Sequence, residues 1–121
     1  MPVNYQRKNV MTISASHRPF SQWVEFAVAP HHQADLIAAL IDQAERYTRT
    51  YPGFLGATVQ ASDDGCRVLN YVQWQDRQAC LDAFSNAEQG EQDMHGLIRQ
   101  YRATSVTFGA FQVVGRIEPK T

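Results

Sequence analysis

A chain of 121 residues with 44% hydrophobic and 11% aromatic content is long enough for one compact domain with its own core and too short for two ordinary ones. Eleven Lys and Arg against twelve Asp and Glu leave a formal net charge of −1, with no basic run to track a phosphate backbone, so the composition argues against a nucleic-acid partner. No segment approaches the ~20 apolar residues that span a bilayer, and the opening "MPVNYQRKNVMTISASHRPF" lacks the apolar run of a secretion signal, so a cytoplasmic protein with no membrane partner is expected.

Residues 1–20 read as a polar N-terminal arm, in which "NVMTIS" could add an edge strand or reach across to a partner subunit. The domain proper is expected over residues 21–117, with a short tail at 118–121. In "QWVEFAVAP", Val24, Phe26 and Val28 alternate with Trp23, Glu25 and Ala27, predicting a strand ended by Pro30. From His31 to Thr50, Ala34, Ile37, Leu40, Ile41, Ala44 and Tyr47 recur at helical spacing, predicting a long amphipathic helix. "YPGF" breaks it, with Tyr51 and Phe54 stapling the helix to the sheet, and a strand follows at about residues 55–61. "SDDG" supplies a tight turn to an antiparallel return strand at about residues 66–74. Asp76 is placed to cap a second helix with Ala79, Cys80, Ala83 and Phe84 on its apolar side. After the interruption "SNAEQGEQD", Met94, Leu97, Ile98 and Tyr101 restart a helical stripe, and "SVTFGAFQVVGRI" reads as a final strand covered on both faces.

The order strand, helix, strand, strand, helix, strand is the split βαβ plan of the ferredoxin-like α+β fold, a four-stranded antiparallel sheet with both helices on one face. The opposite face, carrying Leu69 and Tyr71, has no helix left to cover it. A second copy of the sheet is the economical cover, so a homodimer forming an α+β barrel is expected.

The strand "RVLNYVQW" directs Val68, Asn70, Val72 and Trp74 to one face. A carboxamide in that company must find hydrogen-bond partners or cost about 1–3 kcal/mol, so Asn70 is satisfied either within the protein or by a ligand. Gln60, on the hairpin partner, is a further candidate for the same pocket. His31 and His32 open a helix and His17 lies in the arm, none with convergent metal ligands, whereas His95 follows the break in the second helical region and could be aimed at a cleft. The two cysteines, Cys66 and Cys80, read as reduced packing residues. No phosphate loop, nucleophile elbow or zinc spacing is present in the sequence, so no cofactor or metal is expected.

The run "YPGFLGATVQASDDGCRVLNYVQWQDRQA" resembles the antibiotic biosynthesis monooxygenase domain, and more narrowly the small quinone-forming monooxygenases of aromatic polyketide pathways. The likeness extends over about residues 23–115 and is densest over 51–79. It implies a dimeric α+β barrel and a cofactor-free enzyme that oxidises a small phenolic aromatic to a quinone with O2. In that group the strand asparagine and tryptophan hydrogen-bond a polycyclic phenol, which carries over to Asn70 and Trp74. The hairpin histidine of the group is here Gln60, its tyrosine six residues after the tryptophan is Cys80, and its helix arginine falls near Met94, beside His95. Asn70, Trp74 and His95 are thus the expected catalytic residues, and Gln60, Val72, Cys80, Phe84 and Met94 the expected substrate contacts. Two other classes fit the same barrel: a non-catalytic dimeric small-molecule binder, and an oxygen-independent cyclase or isomerase of polyketide-like substrates. A heme-degrading branch fits less well, because its helix tryptophan falls on Ala83.

Overall fold

The computed structural model describes residues 10–15, 18–86, 99–100, 102–103 and 105–120. Strand β1 (Val10–Thr12) precedes β2 (Phe20–Ala27), helix α1 (Pro30–Arg46), a 3-10 turn (Thr48–Thr50), the hairpin β3 (Phe54–Ala61) and β4 (Arg67–Trp74), helix α2 (Arg77–Asn86), β5 (Ser105–Gln112) and β6 (Gly115–Ile117). The main sheet has the order β3-β4-β2-β5 with every neighbour antiparallel, which is the ferredoxin-like arrangement. Among the described residues, no helix is long and apolar enough to cross a membrane.

Pairing register sets the two faces. Phe20 lies opposite Trp74, Gln22 opposite Val72, Val24 opposite Asn70 and Phe26 opposite Val68, so these eight residues share the face toward the helices. Two clusters of core residues form there: one joins Val24, Phe26, Val28 and Val68 to Leu36 and Leu40 of α1, and the other joins Phe20, Val72 and Trp74 to Cys80 and Ala83 of α2.

The helix expected to run to Thr50 ends at Arg46, and residues 48–50 tighten into a 3-10 turn. The Thr50 hydroxyl donates to the Tyr47 carbonyl at 2.6 Å, the local side-chain bond by which threonine competes with a continuing helix. The buried stripe of α1 is centred on Leu36 and Leu40, while Ala34 and Ile41 of the expected stripe are exposed. Beyond the turn, Gly53 adopts φ +83°, and its carbonyl accepts from the Gln75 N–H at 2.7 Å. Its Cα lies so close to the Ala79 side chain that any Cβ there would collide with it. Asp76 caps α2 as expected, its carboxylate accepting from the Ala79 N–H at 2.9 Å.

The hairpin turn is held by Asp64, which accepts from the Ser62 hydroxyl at 2.6 Å and the Cys66 N–H at 2.9 Å. These bonds, the Ser62 hydroxyl first, hold its carboxyl below the usual carboxylate range. Cys66 is exposed on this turn, so the expectation that it packs in the core is corrected.

The final strand divides in two. Pro19 has no N–H to continue the β2–β5 ladder; its carbonyl accepts from Val113, and the chain turns away to pair β6 with β1. The arm's β1 adds no edge to the main sheet; it pairs with β6 in a separate two-stranded sheet. Phe108 and Phe111 of β5 are 67% and 58% exposed, so neither side of that strand is sealed within the single chain.

The face away from the helices carries Ser21, Trp23 and Glu25 of β2 beside Leu69, Tyr71 and Gln73 of β4. The Trp23 indole occupies the space above Gly109 where a Cβ would otherwise be, and stacks on Phe111 at 6.3 Å. Tyr71 shares a 2.9 Å hydrogen bond with the Ser21 hydroxyl and accepts one from Gln73 at 3.2 Å.

Candidate active site

Between the two core clusters the helix-side face does not close. A cavity of about 40 Å³ remains, floored by Gln22, Asn70, Val72 and Trp74 from β2 and β4 and walled by α1, the 3-10 turn and α2. By the ~10–15 Å³ that one water occupies, it holds about three. Ala44 of α1 also borders an open groove of about 420 Å³ between α1 and β3, lined by Ile41, Phe54, Ala57 and Val59 with Glu45 and Arg49 at its rim.

Asn70 and Trp74 meet in this cavity because they are four residues apart on one strand. Trp74 is 2% exposed, and Phe54 meets it edge-on at 5.9 Å. Among the described residues, its Nε1 and the Oδ1 of Asn70 are buried without a hydrogen-bond partner. Such groups are rare in folded proteins, and each costs about 1–3 kcal/mol when unsatisfied. One is a donor and the other an acceptor, so the cavity is prepared for a molecule offering both kinds of group. That refines the sequence expectation: the atom left bare on Asn70 is its carbonyl oxygen.

Val72 and Phe84 line the same cavity, Val72 as floor and Phe84, 43% exposed, at the end of its α2 wall. Cys80 does not line it; it is 2% exposed and packs with Phe20, Trp74 and Ala83, where burial pushes its thiol up to about 11. Gln60 is also corrected. Val59 pairs with Asn70 and Gln60 with Leu69, so Gln60 belongs to the open face, where it donates to the Thr58 hydroxyl at 3.1 Å and borders a shallow hollow beside Glu25 and Arg67. Met94, His95 and His17 lie outside the described residues. The His31 and His32 rings lie 4.1 Å apart, tilted by 41°, on the first turn of α1, and no group of three metal-ligating side chains occurs among the described residues.

Two polar residues of the cavity escaped the sequence reading, Gln22 on β2 and Gln43 on α1. The signal for Gln22 was available: it interrupts the inward row Phe20, Val24, Phe26 just as Asn70 interrupts Val68, Val72, Trp74. Among the described residues the cavity wall contains no Asp, Glu, Lys, Arg or His, so its polar groups are amides, hydroxyls and an indole N–H.

The chain is 43% identical over 63 residues, 52% of its length, to tetracenomycin-F1 monooxygenase of Streptomyces glaucescens, and the match spans only 56% of that relative. Its fold superposes with a TM-score of 0.73 on a monooxygenase from the gene ActVA-Orf6 of Streptomyces coelicolor, solved in complex with nanaomycin D, at 27% identity over 88% of this chain and 96% of that one. SnoaB, a cofactor-independent oxygenase from Streptomyces nogalater, shares the fold with a TM-score of 0.55 and 18% identity, over 78% of this chain and 91% of that one. The sequence profile of the antibiotic biosynthesis monooxygenase family matches residues 19–92, which include β2 through α2 and the whole floor of the cavity. With well over half of its length inside that profile, the chain belongs to the antibiotic biosynthesis monooxygenase family.

Proposed function

We propose that the protein is a cofactor-independent monooxygenase that oxidises a small polycyclic phenol to a quinone with O2. The observation that carries this reading is the bare donor and acceptor pair, Trp74 Nε1–H and Asn70 Oδ1, in one cavity with uncharged walls. The polar edge of a phenol supplies what both lack: its hydroxyl donates to Asn70 and a second oxygen accepts from Trp74, while its rings, too large for a cavity that holds about three waters, require the half-exposed Phe84 end to move outward. The likeness to a tetracenomycin-F1 monooxygenase and to a monooxygenase solved with nanaomycin D supports a monooxygenase reading.

Triplet oxygen does not react directly with a closed-shell aromatic, so in this reading the substrate is its own reductant. Loss of the phenolic proton gives an anion that passes one electron to O2. The phenoxyl radical and superoxide then join at a ring carbon, the peroxide regains the proton, and the resulting hydroperoxide expels water to leave a carbonyl. One oxygen atom enters the product, the other leaves as water, and the ring carbon supplies the electrons. The protein's part is to hold the anion in a water-poor site. Trp74 donates to it throughout. Asn70, whose terminal torsion is broad and two-fold, turns its amide to present Nδ2–H once the hydroxyl proton has gone. His95 is the proton acceptor of this scheme.

The open face bearing Trp23, Leu69, Tyr71 and the exposed Phe111 is, in this proposal, covered by the same face of a second copy. Sedimentation should then give a mass about twice the 13.7 kDa of one chain. A folded monomer at micromolar concentration would rule that assembly out.

The activity is tested by oxygen uptake with a dihydroxynaphthalene or an anthrone, using colourless, chelator-treated protein. Uptake with quinone formation supports the proposal. Product without oxygen consumption points to cyclase or isomerase chemistry, and tight binding without turnover to a sensor.

A further inference from the structure

On α1, Leu36, Leu40 and Ala44 follow one another at four-residue spacing along the stripe directed at the sheet. The two leucines are 0% and 2% exposed, whereas Ala44 is half-buried and its side chain is three carbon atoms shorter. An alanine where the stripe calls for a third leucine leaves unfilled space beside it. Both hollows of the helix-side face open there: Ala44 lines the small cavity over Asn70 and Trp74 and also the groove between α1 and β3. Strand pairing sets the two floors side by side. Phe54, Ala57 and Val59 of the groove lie opposite Trp74, Val72 and Asn70 of the cavity, one strand spacing of about 4.8 Å away.

We propose that the opening at Ala44 is the entry port for dioxygen, separate from the Phe84 end at which the aromatic substrate is admitted. This rests on the reading of the cavity as an oxygenase site and adds to it the path of the second reactant. Once a ring system fills the Phe84 end, its own bulk blocks that approach, and O2 must arrive from another side. The groove is suited to that: its floor of Phe54, Ala57 and Val59, with Ile41 beside it, is apolar, and apolar spaces in proteins take up apolar gases readily. The cavity at its end has a volume of about 40 Å³, room for a diatomic molecule and too little for a ring. The alanine methyl thus sets a size limit, passing O2 and excluding substrate from the groove side.

The test needs no substrate. Oxygen quenches indole fluorescence on contact, and in a Trp23→Phe background Trp74 is the remaining one of the chain's two tryptophans. Ala44→Leu should lower the oxygen quenching constant of Trp74 about threefold, and Ala44→Gly should hold or raise it. Ala57→Phe, an exposed position on the groove floor, should lower it about twofold and carries the test if Ala44→Leu does not fold. Phe84→Leu, at the other end, should change it least. Unchanged quenching in both Ala44→Leu and Ala57→Phe, or a larger effect from Phe84→Leu, would overturn the inference. With a phenol that the wild type oxidises, Ala57→Phe should raise the KM for O2 about twofold and leave the anaerobic Kd of the phenol within twofold. A Kd weakened as much as the KM would make the groove part of the ring site and also overturn it. A wild type that consumes no oxygen with any phenol, while the variants show the expected quenching pattern, supports the port and overturns the monooxygenase reading instead.

Discussion

On the helix side of the sheet, Phe20, Val24, Phe26, Val68, Val72 and Trp74 are at most 6% exposed, and two polar atoms there, Asn70 Oδ1 and Trp74 Nε1, have no hydrogen-bond partner among the described residues. On the other side, Ser21, Tyr71 and Gln73 hydrogen-bond one another, and Trp23 is stacked on Phe111. The same strands make both surfaces. Among the described residues, the side with the better core has the unsatisfied polar atoms, and the open side has satisfied ones. A polar group that serves folding or association finds its partner in the protein, whereas one that awaits a ligand does not.

Asn70 gives the sharpest way to break that contrast. Asn70→Ala should lower turnover about 10²-fold, as loss of one oxyanion donor does, with little loss of thermal stability because its Oδ1 has no bond to lose among the described residues. Asn70→Asp should be at least as damaging, and more so above the pKa of the new carboxyl, since it puts negative charge where negative charge must grow. Oxygen uptake and melting curves on the same variants check this; a large drop in melting temperature with normal turnover would make Asn70 structural.

The opposite face should respond in stability. Gly109→Val sets a branched side chain in the space held by the Trp23 indole, and such overpacking costs about 1–3 kcal/mol. Thermal denaturation should show a loss of several degrees, while the per-site turnover of protein that remains folded should change less than for Asn70→Ala.

The two cysteines offer a smaller contrast. Cys66 on the hairpin turn should react with a thiol reagent at once, and Cys80 only on unfolding. Because the folded Cys80 thiol is raised from 9.0 to about 11, the unfolded chain releases its proton first. This group therefore leaves stability unchanged below about pH 9 and lowers it as pH rises from there toward 11, an effect that Cys80→Ala should remove from a pH series of melting temperatures. Smallest of all is Gln60→Ala, which should leave turnover within about twofold, since exposed substitutions away from a site are worth about 0.5 kcal/mol or less.

The ferredoxin-like plan was legible because period-2 and period-3.6 patterns separate cleanly in this chain, and because "YPGF" and "SDDG" mark their turns with glycines that do adopt positive φ, at Gly53 and Gly65. That Asn70 and Trp74 share one face was legible from alternation. Gln22 was not, because the strand was read from Trp23 onward and its polar interruption fell outside the pattern. Gln60 was misplaced because face depends on pairing, and the register Ala61 with Val68 sends odd residues of β3 to the helix side. Cys80 entered the site through resemblance, while packing made it core. The break before β6 depended on Pro19, a residue distant in sequence whose missing N–H acts only once the strands are side by side.

The close approach of Gly53 to Ala79 has a mechanical meaning for substrate size. The contact, together with the bond from the Gln75 N–H to the Gly53 carbonyl, pins the first turn of α2 to the β3 end of the cavity, whereas Phe84, farther along the same helix, lines it half-exposed. At ~1.5 Å per residue the span from Ala79 to Phe84 is a lever arm of about 7.5 Å, so a 10° tilt about the pinned end moves the cavity wall by about 1.3 Å. Room for a wider ring system is therefore gained at the Phe84 end. There the bulk of residue 84, more than any change near Gly53, sets the largest molecule that fits.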